Sequence, residues 1–69
     1  MNIEDFKVDD TAWYVGSYKF DKVLCSESIR FIGKDWFHLT GGVTLRKGEV
    51  LGKTRDEAIA RLRDWVDNL

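Results

Sequence analysis

The sequence predicts an α+β domain, with a four- or five-stranded antiparallel meander and one C-terminal helix packed on it. The meander forms either a bent sheet or a partly open barrel. Three observations predict this. Residues 6–52 fall into short segments rich in β-branched and aromatic residues, punctuated by glycines, and the chain has no proline. The segments follow one another too closely for the crossovers that parallel strands need. The last stretch changes period: Ala58, Ile59, Leu62, Trp65, Val66 and Leu69 form one apolar stripe at helical spacing.

Taken in order, "TAWYVGSYKF" (Thr11–Phe20) reads as the first strand, with Gly16 at a bend or bulge. Asp21-Lys22 reads as a tight turn. "VLCSESIRFI" (Val23–Ile32) is the second strand, and "GKD" (Gly33–Asp35) a hairpin loop. "WFHLT" (Trp36–Thr40) is the third strand, Gly41-Gly42 a turn, and "VTLR" (Val43–Arg46) the fourth. Lys47-Gly48 then turns into a short fifth piece, "EVL". The helix covers about 55–67. Thr54 stands at its N-cap with Glu57 three residues on, the spacing of a capping box. Asp56 and Glu57 also suit the positive end of the helix dipole.

Strand alternation predicts that Trp13, Val15, Phe31, Phe37, Leu39, Val43 and Leu45 point toward the helix. It sends Tyr14, Arg30, Ile32, Trp36, His38, Thr44 and Arg46 the other way. The register carries this assignment, and a slip of one residue inverts it.

With 69 residues the chain is one domain, 1–69, with a single core. Its lone cysteine, Cys25, can form no internal bridge, which fits a reducing compartment. No apolar run is long enough to span a membrane. "MNIEDFKVDD" has neither the basic region nor the apolar core of a signal peptide, so a cytoplasmic location is expected. Charge is unevenly spread. Residues 1–28 carry six acids against three bases, and residues 29–55 carry six bases against two acids. A basic middle segment points to an acidic partner.

The stretch "GEVLGKTRDEAIARL" (Gly48–Leu62) approximates a phosphate-binding loop. The motif G-x-x-x-x-G-K-[ST] needs glycine at position 47, and this chain has Lys47 there. The loop is one residue short, so no nucleotide and no other cofactor is expected. The stretch reads instead as a turn and a helix cap. His38 has no second histidine and no cysteine at metal-ligand spacing, so no metal site is expected. Cys25 has no activating base in its neighbourhood of the sequence. The acidic residues Glu4, Asp5, Asp9 and Asp10 read as a solvated cluster whose one concrete role would be docking to a basic protein surface.

Two segments resemble known proteins. "FKVDDTAWYV" (Phe6–Val15) is similar to the first strand of small SH3-like barrel proteins, which open with F-x-V-G-D-x-V. Asp9 stands where that pattern has glycine. "GKTRDEAIARL" (Gly52–Leu62) resembles the helix start after a strand meander in small bacterial and phage proteins, including antitoxins of the HicB type. The resemblance implies a small bacterial or phage accessory protein. It transfers no functional residue.

No nucleophile–base pair or cofactor loop emerges from the sequence, so a non-enzymatic protein-interaction module is expected. Its partner would be another protein, a host factor or a second copy. The partner-binding residues would be Tyr14, Arg30, Trp36, His38 and Arg46, because Trp, Tyr and Arg are the residues that anchor interfaces. The alternative is a nucleic-acid-binding module in which the same aromatics stack on bases and the arginines follow the phosphates.

Overall fold

The computed structural model describes residues 6–67, and the side chains of all of these except Tyr18, Trp65, Val66 and Asp67. Four antiparallel strands run β1 (Thr11–Tyr18), β2 (Asp21–Ile32), β3 (Trp36–Leu39) and β4 (Thr44–Arg46), adjacent in that order. One helix follows, α1 (Arg55–Asp67). The sheet curls into a half-barrel. Its free β1 edge is met by the chain beyond β4, where Trp13 N–H donates to Gly52 O at 3.0 Å and Leu51 N–H to Trp13 O at 2.8 Å. The expected fifth strand is reduced to this one bridge, because Glu49 belongs to a 3₁₀ turn over Lys47–Glu49.

Before β1 the chain makes a tight turn. Asp10 N–H donates to Lys7 O at 3.0 Å, with Asp9 in the left-handed region at φ 77°. Asp9 N–H donates to Ile29 O, and Ile29 N–H to Asp10 O, both at 2.8 Å. Asp9 and Asp10 together thus oppose Ile29, a bulge whose first position favours glycine. Asp9 makes this turn at a position that favours glycine, and it carries the strain of doing so. Asp9→Gly is expected to raise stability by about 0.5–1 kcal/mol, after allowing for the greater freedom of glycine in the unfolded chain. Urea melts of the two proteins check this; an unchanged or lower midpoint would show that the turn is not strained.

The Asp10 carboxylate accepts the Lys7 N–H at 2.8 Å and lies 3.2 Å from Lys53 Nζ. These two partners, the Lys7 amide first, hold its pKa below the usual aspartate value. Lys53 Nζ also sits 5.2 Å from the Phe6 ring centroid, so one lysine ties the entry turn to the start of the helix.

The β1–β2 hairpin turns at Lys19-Phe20, two residues before the expected Asp21-Lys22 turn. Tyr18 pairs with Asp21, and Lys19 takes φ 56°. Aspartate is a turn-former and phenylalanine is not, so composition pointed to the wrong dipeptide.

A second departure lies in β2. Ile29 pairs with Leu39, but Phe31 pairs with His38 and Ile32 with Phe37. Arg30 is the extra residue of a β-bulge, and the bulge resets the alternation after it. Ile32, expected outside, packs against the core, while Phe31, expected inside, is 61% exposed.

The core lies within the curl of the sheet. Phe6, Ala12, Tyr14, Ile29, Phe37, Leu39, Leu45 and Val50 are buried, and Phe6 and Phe37 meet at 5.5 Å between ring centroids. Val43 packs partly against them. The helix lies against β1. Ala58 is fully buried, and Ile59 and Leu62 are half-buried. The remaining stripe side chains, Trp65, Val66 and Leu69, lie outside the described set.

The helix start is capped as its sequence implies. Glu57 N–H donates to Thr54 Oγ1 at 3.1 Å, and Ala58 N–H to Thr54 O at 3.1 Å. The Glu57 carboxylate takes the amide of Lys53 at 2.8 Å, one residue before the cap. Gly52 makes this geometry possible by allowing the helix's first turn to sit directly on its Cα.

Candidate functional site

The convex face of β2–β4 carries the candidate site. In β3, Trp36 and His38 are exposed and Phe37 and Leu39 buried. In β4, Thr44 and Arg46 are exposed and Leu45 buried. Register then places these side chains in rows. Phe31, His38 and Thr44 lie across three strands in one row, and Trp36 pairs with Arg46 in the next. The Phe31 and His38 rings are tilted at 5.4 Å between centroids. The Arg46 guanidinium stands 5.3 Å from the Trp36 ring centroid, within cation–π range.

Gly33 sits between the rows. Its N–H donates to Trp36 O at 2.8 Å. A Cβ on it would touch Phe31 at 3.9 Å and His38 Nε2 at 4.0 Å, so both rings lean over this glycine. Arg30, at the bulge in β2, and Lys34, in the loop after it, are exposed. Trp36, His38 and Arg46 share the expected outer face.

Tyr14 does not. It is 9% exposed and belongs to the core, paired across strands with Cys25. The sequence "TAWYV" is apolar at successive positions, so alternation alone could not choose its inner face. Ala12 and Tyr14 fill the core, and Val15 and Trp13 take the opposite side of the pleat. The face instead gains Phe31, which the bulge at Arg30 turned outward.

Burial raises the Tyr14 phenol pKa, with Cys25 and Glu27 adding to the shift. The folded protein thus favours the neutral phenol more than the unfolded chain does. That contribution is fully present below pH about 10 and is lost as pH rises through the elevated pKa. Alkaline titration of stability should show a falling limb above pH about 10 that is reduced in Tyr14→Phe. An identical limb in that variant would assign it to other groups.

The other sequence candidates resolve into structural parts. Lys53, the phosphate-loop lysine by position, has its ammonium on Asp10 and its amide on Glu57. Thr54 Oγ1 is the helix cap. Cys25 is half-buried, with Sγ 3.7 Å from Val23 O and 3.0 Å from where a Gly16 Cβ would stand. Of the acidic cluster, Asp9 and Asp10 build the entry turn, and Glu4 and Asp5 lie outside the described residues. Among the described residues no three His, Cys, Asp or Glu side chains group to hold a metal ion, and no helix is long and apolar enough to cross a membrane.

A scan of protein-family models and searches of the curated proteins and of the solved structures return no match to this chain.

Proposed function

We propose that the protein is a non-enzymatic interaction module that binds another protein through the convex face of β2–β4. One observation carries the reading: Phe31 and Trp36 stand 61% and 40% exposed on one sheet face. Large aromatics left in water beside Arg30 and Arg46 have the composition of an interface centre, where Trp and Arg supply most of the binding energy. The resemblance to small bacterial and phage accessory proteins fits a phage- or prophage-encoded module, whose target would then be a host protein.

A second reading is favoured by the charge of the face. Arg46 lies over Trp36, and Arg30 and Lys34 are exposed bases close to Phe31 in sequence, a composition suited to single-stranded nucleic acid. A photo-reactive residue in place of Thr44, used in intact host cells, separates the two. The first reading predicts a discrete protein adduct that is lost in Phe31→Ala/Trp36→Ala. The second predicts a nuclease-sensitive adduct whose yield falls with salt. Absence of both adducts, with the protein folded and expressed, would remove this face as a binding site.

A further inference from the structure

We propose that the free edge of β1 is a second docking site, distinct from the convex face, which takes an extended, acidic, apolar peptide segment of another protein as an added strand. The hydrogen-bonding pattern of β1 supplies the first observation. Tyr18 and Asp21 close a two-residue hairpin, so bonded pairs recur at Gly16–Val23 and Tyr14–Cys25. The N–H and C=O of Thr11, Trp13, Val15 and Ser17 must then point away from β2. Trp13 obeys this rule, since both its groups bond to the segment at Leu51 and Gly52. That segment pairs only at this bridge. Beyond it, among the described residues, Val15 and Ser17 have no strand beside them. They present two donor–acceptor pairs one pleat repeat apart, the template for strand addition.

The second observation is a groove of about 510 Å³ beside this edge, lined by Val15 of β1 and by Leu51 of the bridging segment. Val15, Leu45, Leu51 and Leu62 give it apolar walls, and Lys22 and Arg61 stand at its rim. Among the described residues that line it Glu49 is the acid, and its carboxylate accepts the Arg46 amide at 3.2 Å. Alternate side chains of the added strand would enter the apolar groove, and its carboxylates would meet Lys22 and Arg61. The charge of the rim selects against a second copy of this chain, which would bring an equally basic rim against it.

The test uses the full chain and the peptide acetyl-Glu-Val-Ile-Val-Asp-amide. Amide NMR shifts should centre on Val15, Ser17, Leu51 and Leu62. The peptide with lysine at both ends should bind at least about tenfold more weakly. Ser17→Pro removes an outward-facing N–H without removing a bond to β2, and should weaken binding by a similar factor, again about tenfold. Lys22→Glu and Arg61→Glu, both exposed and outside the core, should each weaken it about fivefold and keep the test open if the proline variant fails to fold. Equal affinity in folded Ser17→Pro and in both charge reversals would overturn the proposal. So would shifts confined to Phe31, Trp36 and His38. A peptide-free dimer at micromolar concentration with the Ser17 amide protected from exchange would also overturn it, because the occupant would then be a second copy.

Discussion

Phe37→Ala is expected to leave much of the protein unfolded at 25 °C. Phe37 is 1% exposed and is the largest fully buried side chain among the described residues. It stacks against Phe6, pairs across strands with Leu45 and Ile32, and lies 5.6 Å below the Lys47 ammonium. Truncating a buried phenylalanine costs about 3–5 kcal/mol in transfer and cavity terms. A domain of this size has a total stability of about 3–5 kcal/mol, so the two quantities nearly cancel. Far-ultraviolet circular dichroism at 25 °C and a urea titration read the result. Phe37→Leu, which keeps most of the volume, should retain a cooperative transition. A loss under about 1 kcal/mol in Phe37→Ala would place the centre of the core elsewhere.

Gly52→Ala should be the most damaging single-methyl change in the chain. The added Cβ would fall 2.6 Å from Glu57 Cβ, 3.1 Å from its carboxylate and 3.2 Å from the Ala58 amide. Two of those neighbours are fixed parts of the helix, so the first turn of α1 must move. Moving it breaks the Lys53–Glu57 bond, and it strains the bridge by which Gly52 accepts from Trp13. Overpacking of this kind costs about 1–3 kcal/mol, and the loss of the cap adds about 1 kcal/mol. Gly48→Ala is the control, because nothing lies within 4 Å of its Cβ position, and it should change stability by less than about 0.5 kcal/mol. Similar urea midpoints for the two variants would show that the helix start yields freely.

The parts of the fold that were legible in the sequence are those where two independent signals agree. For α1, the period of Ala58, Ile59 and Leu62 agrees with the cap chemistry of Thr54 and Glu57. For β3 and β4, His38 between Phe37 and Leu39 and Leu45 between Thr44 and Arg46 fix the alternation, and Trp36, His38 and Arg46 emerge on one face as it requires. Legibility ended where local chemistry offered two answers. "TAWYV" has apolar side chains for both faces of β1, and packing alone sends Tyr14 inward. "SIRFI" hides a bulge, since an extra residue in a strand leaves no mark in composition. Its consequence for the site is direct: Phe31 replaced Tyr14 as an exposed aromatic. The Lys19-Phe20 turn is set by cross-strand pairing, against the preferences of the residues that adopt it, and the left-handed Asp9 is set by its pairing with Ile29.

The bridge between Trp13 and Gly52 also sets an order of events in time. Three hairpins can zip locally, but this contact joins segments from opposite ends of the described chain, and contacts of high sequence separation form late. At synthesis rates of about 5–20 residues per second, the backbone of Trp13 stays unpaired for seconds while residues up to Gly52 are added. Through that interval β1 is an apolar strand with a bare edge, open to neighbouring nascent chains. Growth temperature and expression rate should therefore govern soluble yield more strongly than the stability of the finished fold does.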